Sequence, residues 1–406
     1  MLRRPPDLHG RRVVGVDMAR CLALLGMMAT HILPGYEGLE IPWPQQLAGG
    51  RASALFAVLA GVSLSLTTGR EHPVHGRERI ARSCGLAVRA LLIALLGMYL
   101  ATLDTNVAII LTYYGLLFLL GIPLLGLGSR AMFGLAAGWV VLAPVVSHLL
   151  RPELPRRDAG SPTIERLGDP WQLLTELSFT GTYPMFPWLA YLLAGMAIGR
   201  VDLMSVRNAQ RLLVGGALLA STAWLVSRLI TNTDTVDTAL RTTLEPGLEV
   251  TRPELHALLT HGLFGTTPTE SWWWLTVVAP HSTTPFALAQ TIGSAMAVIG
   301  LCLLVSRPAP RLMAVLFGAG AMTLTLYSLH IWMLTPEVWP PEPPNEAAVY
   351  VRHVSVVLGV GAAFALARWR GPLEYVVGVF STGIAQATRS ALGQPTTGSR
   401  ADATPP

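Results

Sequence analysis

Long uninterrupted apolar stretches, separated by shorter polar segments, dominate the chain. Ten of these stretches are long enough to cross roughly 30 Å of hydrocarbon as a helix. Strands are not expected, because the stretches are too long and too continuously apolar for the alternating pattern of a membrane barrel. The stretches lie at 13–34, 50–69, 83–103, 107–127, 131–150, 182–200, 212–231, 286–306, 312–335 and 348–367. The pattern therefore predicts an all-α, polytopic transmembrane helical bundle of about ten spans.

The connecting segments divide into short turns and two long loops, at about 151–181 and 232–285. Loops of this length usually have a specific function. After the tenth span, the segment at 368–374 leads into a short amphipathic stretch that we expect at the membrane surface. Residues 390–406 are polar and are predicted to be a disordered tail. Since no soluble second domain and no internal repeat is evident, 1–389 is predicted to be one transmembrane domain.

The composition agrees with a membrane protein, since 51% of the residues are hydrophobic and 13% are charged. A typical soluble domain has about a quarter charged residues. The chain has no Lys, so all 29 basic residues are Arg, and a basic balance of this kind can indicate nucleic-acid binding. We predict no nucleic-acid partner, because the arginines concentrate on one predicted side of the membrane. The three cysteines predict no disulfide framework, because they are odd in number and lie in or beside apolar segments.

The first apolar run follows a basic N-terminal segment, as in a signal peptide. The basic residues are Arg3, Arg4, Arg11 and Arg12. However, the run contains Asp17 and Arg20, and no small-residue cleavage site follows it. We therefore expect the run to be the first membrane span, with the N-terminus in the cytoplasm.

The charges of the loops predict the topology of the remaining spans. With a cytoplasmic N-terminus, most arginines fall on the inner side, including a cluster at Arg70, Arg77, Arg79 and Arg82. Most acidic residues fall outside, among them Glu37, Glu40, Asp234, Asp237, Glu245, Glu249, Glu337, Glu342 and Glu346. The positive-inside rule then predicts that both termini are cytoplasmic. We expect a multi-pass protein of the bacterial plasma membrane.

The first span carries Asp17, Arg20 and His31, and ionisable groups inside a bilayer usually mark a functional site. The three residues share one face of a helix, with roughly 16 Å of axial rise between Arg20 and His31. This separation is close to the reach of a pantetheine arm. One hypothesis is that Arg20 and Asp17 lie near the phosphates of a coenzyme A thioester while its acyl carbon approaches His31. The alternative is that Asp17 and Arg20 only form an i, i+3 ion pair and that His31 is an interfacial residue.

The ninth span offers a matching feature, because Tyr327 and His330 are three residues apart on one face near its outer end. His31 and His330 are thus predicted at similar depth. Arg51, Arg352 and the loop residue His281 are expected at this level too. The other ionisable residues within spans are Arg89, His148, Arg228 and His353. This convergence predicts a polar cluster in the outer half of the bundle.

A histidine in such a cluster suits acyl transfer. Neutral His31 could act as a general base towards a sugar hydroxyl or amine, or it could itself be acylated. An arginine nearby could stabilise the oxyanion that develops. Trp272, in the Trp272-Trp273-Trp274 run of the second long loop, belongs either to an interfacial aromatic belt or to a substrate-binding lip.

Other chemistries lack sequence support. The chain has no paired-histidine metal motif, no glycine-rich phosphate loop and no strand-to-helix serine elbow, so no metal is expected. The Gly61-Val62-Ser63 stretch in the second span is expected to allow close helix packing through small residues.

Several stretches resemble the transmembrane acyltransferase superfamily, which includes heparan-alpha-glucosaminide N-acetyltransferases and acyltransferase-3 proteins. The segment from Val16 to His31 is similar to their first span, where Arg is followed after ten residues by His in acyltransferase-3 members and by Asn in heparan-type enzymes. The segment 186–200 is similar to a span of heparan-type and related bacterial proteins, and 370–374 to the C-terminal signature of the latter. The segment 327–330 is similar to the late Tyr-x-x-His helix of acyltransferase-3 proteins.

The resemblance implies a cytosolic acetyl- or other acyl-coenzyme A donor, a route for the acyl group through the bundle, and an extracytoplasmic carbohydrate or glycolipid acceptor. Carried over by position, Arg20 and His31 are the functional pair. The chain departs from the heparan-type pattern at Leu39-Glu40, roughly where those enzymes have a catalytic His. This leaves His31, supported by Arg51 and His330, as the predicted catalytic group, with His281, Trp272, Tyr327 and Arg352 as predicted substrate-binding residues.

The leading hypothesis is therefore a membrane acyltransferase, most simply an acetyltransferase, that modifies a saccharide or lipid-linked sugar outside the cell. The alternative is a lipid or solute transporter or flippase, in which the same buried charges line a translocation path. A non-catalytic scaffold is disfavoured by a polar cluster at one depth. Membrane lipids and the acceptor are the expected partners, and a homodimer is left open.

Overall fold

The computed structural model describes residues 12–33, 42–158, 160–244, 250–338 and 345–393. Within these ranges the chain forms helices and no strand, which confirms the all-α prediction. The α-helices are α1 (Val14–Ile32), α2 (Trp43–Ala48), α3 (Arg51–Thr67), α4 (Gly76–Leu100), α5 (Leu111–Gly121), α6 (Ser129–Leu150), α7 (Pro170–Thr175), α8 (Met185–Gly199), α9 (Val206–Thr231), α10 (Asp234–Thr242), α11 (Arg252–His261), α12 (Pro285–Val305), α13 (Pro310–Leu316), α14 (Thr323–Met333), α15 (Glu346–Leu366) and α16 (Pro372–Gly393).

Six helical segments among the described residues are long and apolar enough to cross a membrane. They are Trp43–Thr67, Gly76–Leu100, Ser129–Glu153, Val206–Thr231, Pro285–Val305 and Glu346–Leu366. The predicted count of ten is therefore not confirmed, although the six agree with the predicted second, third, fifth, seventh, eighth and tenth spans. The cytoplasmic position of both termini stays a prediction.

The other four predicted spans form shorter, less apolar or interrupted helices. The first is α1, whose Asp17, Arg20 and His31 lower its hydropathy. The fourth and sixth are the short apolar helices Leu111–Leu124 and Met185–Gly199. Helix α8 is buried along almost its whole length. A helix surrounded by protein does not need to match the bilayer thickness. The length of the apolar stretch at 182–200 was therefore not enough to predict a helix that spans the membrane.

The prediction of one continuous ninth span at 312–335 was wrong. This stretch forms α13 and α14, joined by a 3-10 turn at Gly318–Ala321. Helix α14 thus begins at Thr323, inside the bundle, where the turn packs against both α1 and α15. The break gives the bundle a helix N-terminus in its interior.

Close helix packing at the centre depends on glycine, as predicted for the Gly61-Val62-Ser63 stretch. A Cβ atom at Gly61 would lie 2.2 Å from the carbonyl oxygen of Leu192 on α8, and one at Gly195 would lie 1.9 Å from that of Val58 on α3. Only hydrogen at these positions lets the two backbones touch. Helix α8 is in turn packed against α6, and α12 against α9, while α9 and α15 lie at the periphery.

The long loops contain ordered structure. The loop at 151–181 includes α7 and a π turn at Glu176–Thr180. The loop at 232–285 includes α10 and α11 and has its own small core, in which Trp274 is completely buried. This loop therefore forms a compact cap on one end of the bundle.

The C-terminal stretch is longer than predicted. Helix α16 has 22 residues and packs along α4, where Arg389 forms an ion pair with Glu78 at 2.9 Å. Residues 390–393, which were assigned to the tail, belong to this helix. Some predictions concern residues outside the described ranges, namely Arg3, Arg4, Arg11, Glu37, Leu39, Glu40, Glu245, Glu249, Glu342 and residues 394–406.

Candidate active site

A cavity of about 400 Å³ lies in the middle of the bundle, between α1, α3, α4, α5 and α14. One end is polar and the other is apolar and aromatic. The charged residues that line it are Arg12, Asp17, Arg20, Arg70, Arg89 and Glu374. Because four arginines face two carboxylates among the described lining residues, the polar end carries a net positive charge.

Asp17 and Arg20 form the centre of this polar end. Arg20 Nη1 donates to Asp17 Oδ1 at 2.8 Å, and Arg20 Nη2 donates to Ser63 Oγ on α3 at 2.6 Å. Arg12 forms a second ion pair with the other carboxylate oxygen of Asp17. The i, i+3 ion pair that the sequence offered as an alternative to a donor-binding role is therefore present. The same guanidinium also lines a cavity, so the pair does more than join two turns of α1.

The opposite end of the cavity is formed by Met27, Tyr114 and Tyr327. On α1, His31 follows Met27 by one helical turn, and on α14, His330 follows Tyr327 by one turn. The cavity thus extends from the Asp17–Arg20 pair to within one turn of both predicted histidines.

His31 and His330 contact each other directly. His31 Nδ1 lies 3.1 Å from His330 Nε2, and the two rings stack at 5.3 Å with an interplanar angle of 9°. One nitrogen must donate and the other accept, so a single proton occupies the bond. His330 is completely buried, and its Nδ1 has no hydrogen-bond partner among the described residues. The expectation that the two histidines lie at the same depth agrees with this geometry.

Two more histidines surround the pair. His353 of α15 packs edge-on against His330 with ring centroids 5.2 Å apart, and its Nδ1 donates to the carbonyl of Val349 at 2.9 Å. The loop residue His281 is close enough to His31 to interact with it electrostatically.

His281 is part of an aromatic group at the start of α8. Its ring packs against Tyr183 at 5.4 Å and Phe264 at 5.6 Å, and is stacked with Trp188 at 6.4 Å. Burial among these rings lowers the pKa of His281 to about 4, so it is neutral at pH 7. The aromatic group thus holds His281 against the start of α8, and its role in substrate binding stays a prediction.

Arg51 is at the outer end of α3, but its side chain points away from the pair. Its Nη1 donates to the main-chain carbonyls of Gln46 and Leu47, and the residue lines a different, smaller cavity. No hydrogen bond joins it to His31 or His330. The placement of Arg51 beside the catalytic histidine is therefore not supported by the geometry, because the short helix α2 folds back and takes its guanidinium.

Arg352 and Trp272 are also apart from the central cavity. Arg352 lies next to His353 on α15, and it lines neither of the two cavities. Trp272 is 55% exposed and packs on His148 at the end of α6, with ring centroids 4.6 Å apart. Tyr327, in contrast, lines the central cavity, and its role in substrate binding stays a prediction.

Glu374 is a site residue that we did not predict. Its Oε1 accepts hydrogen bonds from the backbone N–H groups of Leu324 at 2.7 Å and Thr325 at 3.2 Å, and its Oε2 accepts from Thr325 Oγ1 at 2.6 Å. Leu373 N–H donates to Thr325 Oγ1 at 3.1 Å. The carboxylate therefore caps the N-terminus of the helix that carries Tyr327 and His330. The only signal was the 370–374 stretch itself, which we had treated as a family signature.

Arg89, Ser63, Tyr114 and His353 were likewise not assigned to the site. Arg89 and His353 were recognisable as ionisable residues within apolar spans, while Ser63 and Tyr114 carried no distinguishing pattern. Among the described residues, no group of three or more His, Cys, Asp and Glu side chains is arranged to hold a metal ion. The absence of a metal from the chemistry stays a prediction.

Comparison with protein families supports the resemblance seen in the sequence. The model described as "Heparan-alpha-glucosaminide N-acetyltransferase, catalytic" matches residues 12–228, which is more than half of the chain. No curated protein matches the sequence. The matched region contains Asp17, Arg20 and His31, whereas His281 and His330 lie beyond it. The site is thus assembled from the matched region and from the helices that follow it.

Proposed function

Because the chain belongs to the heparan-alpha-glucosaminide N-acetyltransferase catalytic family, we propose that it moves an acetyl group from cytosolic acetyl-coenzyme A to an amine or hydroxyl of an extracytoplasmic sugar or glycolipid. Family membership and the six apolar helices identify an integral membrane protein of an acetyltransferase family. The observation that carries the finer proposal is the cavity that runs from an arginine-rich end to within one helical turn of the His31–His330 pair.

The polar end of the cavity suits the donor. Phosphate groups are recognised by guanidinium groups through charge-assisted hydrogen bonds, and Arg20 and Arg89 face the same space. The part of the cavity beyond them is apolar, which suits a pantetheine arm. The distance that the arm would cover follows from α1, on which Arg20 and His31 are separated by roughly 16 Å of axial rise.

The histidine pair suits the chemical step. If His31 Nδ1 donates to His330 Nε2, the Nε2 of His31 carries no proton and can act as a base. In this step His31 takes the proton from the acceptor nitrogen or oxygen as that atom attacks the thioester carbonyl. The carbon–sulfur bond breaks, and the coenzyme A thiolate leaves and takes up a proton. His330 orients the imidazole of His31 and does not contact the substrate.

An acyl-enzyme route uses the same atoms in two steps, because His31 Nε2 could accept the acetyl group before the acceptor does. The two routes differ in whether acetylated protein accumulates without acceptor. Rapid quenching after mixing with acetyl-coenzyme A, followed by intact-mass measurement, distinguishes them.

The alternative function is transport, in which the central cavity is part of a path for a solute or lipid. The buried ion pair at Asp17 and Arg20 is compatible with both functions. The contact between His31 and His330 favours chemistry, since a translocation path gains nothing from a base held at one end.

The decisive experiment uses the full-length protein in detergent with glucosamine as a probe acceptor. We expect acetyl-coenzyme A to bind, and thiol to be released when the acceptor is added. Binding should weaken tenfold or more in Arg20→Gln, the loss expected from removing a charge-assisted hydrogen bond. Arg207→Gln, on the far end of α9, is the matched control.

Two results would contradict the proposal. One is wild-type protein that does not bind acetyl-coenzyme A. The other is solute or lipid movement in proteoliposomes that persists without any thiol release. The acceptor itself is best identified by mass spectrometry of envelope glycans and lipids with and without the gene.

A further inference from the structure

A second cavity, of about 120 Å³, lies at the predicted outer end of the bundle and is separate from the central one. It is enclosed by α2, the start of α3, α9, α11 and α12. Arg51 and Arg228 line it, and no acidic residue is present among its described lining residues. Two positive charges therefore face one small space, and none of the described residues that line it carries a negative charge.

Within the part of the chain that the structure describes, neither arginine forms an ion pair with a carboxylate. Arg51 donates only to the main-chain carbonyls of Gln46 and Leu47. Arg228 Nη2 lies 3.2 Å from His256 Nε2, and its guanidinium packs over the ring of Trp224 at 5.9 Å. A guanidinium can only donate, so His256 Nε2 accepts and the imidazole is neutral. Among the described residues, both arginines thus have neutral partners and no carboxylate.

A third donor lines the same cavity. Gln290 of α12 is 6% exposed, and its side-chain amide makes no hydrogen bond to any described residue. The hydroxyl groups of Ser227 and Thr231 already donate to main-chain carbonyls. The free hydrogen-bond donors of the cavity are therefore the guanidinium groups of Arg51 and Arg228 and the amide N–H groups of Gln290, whose side-chain oxygen can also accept. A polar site in which two guanidinium groups and an amide face one space, with no carboxylate among its described lining residues, is complementary to an oxyanion.

The surroundings indicate where the oxyanion comes from. Helix α9 is the peripheral span, and only 17% of its apolar window is buried. Trp224, Leu225 and Leu229 expose 45%, 51% and 64% of their surface around Arg228. An indole and a guanidinium at the end of a lipid-facing helix are typical of the headgroup level of a bilayer. The cavity is therefore accessible to a lipid, and its volume suits one phosphate group and not a nucleotide.

We propose that this second cavity binds the phosphate group of a membrane lipid, held by Arg51, Arg228 and Gln290. The site does not depend on the acyltransferase reaction. It does adjoin it, because Pro280 lines the second cavity and the next residue, His281, is close enough to His31 to interact with it electrostatically. A bound lipid would thus support the loop that carries His281.

Lipid binding can be measured on the full-length protein in detergent by native mass spectrometry. The probes are short-chain phosphatidylglycerol, a diacylglycerol with the same chains, and inorganic phosphate. We expect saturable binding of phosphatidylglycerol and no binding of diacylglycerol. Arg228→Gln should weaken the binding tenfold or more, and Gln290→Leu by a smaller factor.

The matched control is Arg207→Gln, at the other end of α9 and roughly 31 Å from Arg228 along the helix axis. It should bind phosphatidylglycerol as the wild type does. Thermal unfolding of each variant checks that it folds, and Arg228→Lys should restore part of the binding because it keeps the charge.

The outcomes separate the sources of phosphate. Binding that depends on Arg228 and is not displaced by inorganic phosphate supports a lipid headgroup. Equally tight binding of inorganic phosphate would overturn the lipid assignment in favour of a free oxyanion. Equal binding of diacylglycerol, or equal loss in Arg207→Gln and Arg228→Gln, would overturn the site altogether.

Discussion

The two histidines that meet beside the central cavity are carried by helices of very different construction. His31 lies near the end of α1, which is continuous from Val14 to Ile32. His330 lies near the end of α14, which begins only at Thr323 because the apolar stretch before it is broken. Both stretches are similarly long and apolar in sequence, so length and hydropathy did not decide which one is continuous.

The difference arises at the contact between α1 and the turn that joins α13 to α14. A Cβ atom at Gly320 would lie 1.7 Å from the main-chain oxygen of Asp17, so the turn between α13 and α14 rests directly on the backbone of α1. On its other side, a Cβ atom at Gly318 would lie 2.4 Å from the carbonyl oxygen of Gly361 on α15. A regular helix with side chains could not pass through this gap.

A helix that begins inside a bundle exposes backbone N–H groups, which are costly to leave unpaired in an apolar interior. Here Glu374 supplies the missing acceptors and a negative charge at the positive end of the helix dipole. Helix α1 thus depends on its own sequence, whereas α14 depends on a residue from α16. Four sets of variants test this difference.

The histidines themselves should show the largest effect. His31→Ala should lower kcat for thiol release by about 10²- to 10⁴-fold, the range for loss of a general base. His330→Ala should lower it less, because His330 acts through His31. If the pair acts as a unit, the double variant will be no slower than His31→Ala. A wild-type rate in His31→Ala would remove the catalytic assignment.

Loss of the cap should destabilise the broken helix. Glu374→Gln removes a charged acceptor of two backbone N–H groups, and hydrogen bonds to charged groups contribute about 1.5–3 kcal/mol. The expected result is a lower thermal unfolding midpoint, measured in detergent by tryptophan fluorescence. Glu346→Gln, in the first turn of the unbroken α15, is the control and should cost under about 1 kcal/mol. Equal shifts in the two variants would contradict the special role of the α14 cap.

The contact between the two segments can be tested at its glycine. Gly320→Ala forces the backbones of α1 and the turn apart, and overpacking of this kind costs about 1–3 kcal/mol. We expect a reduced unfolding free energy together with weaker acetyl-coenzyme A binding, because Asp17 moves with its backbone. Gly359→Ala is the control, since a Cβ atom there meets nothing within 4 Å. Unchanged stability in Gly320→Ala would mean that the turn is not held against α1.

The smallest effect is expected at Thr325. Thr325→Val keeps the shape of the side chain but removes the hydroxyl that donates to Glu374 and accepts from Leu373, which should cost about 1 kcal/mol. Thr323→Val, one residue before the capped N–H groups, is a matched control, since its side chain forms no hydrogen bond with another described residue. Thermal unfolding of both variants measures the difference. A larger loss in Thr323→Val would contradict the proposed cap.

Much of the site was predictable because α1 is regular. The 3.6-residue period alone placed Asp17, Arg20 and His31 on one face, and the similar depth of His330 followed from its position near the outer end of its span. The assignment of Arg51 to this cluster failed, because depth does not specify direction around the bundle. Helix α2 turns the Arg51 side chain into the second cavity.

Hydropathy and helical period are local properties of a continuous chain, so they were enough to predict the all-α membrane architecture and the polar stripe of the first span. Three features are evident only in the folded protein: the break in the stretch at 312–335, the cap that Glu374 forms on α14, and the second cavity that Arg51 and Arg228 both line. These features depend on contacts between residues tens to hundreds of positions apart. Their contacts depend on which backbones come close together and on the residue types found there, such as the glycines of the turn and the carboxylate of Glu374.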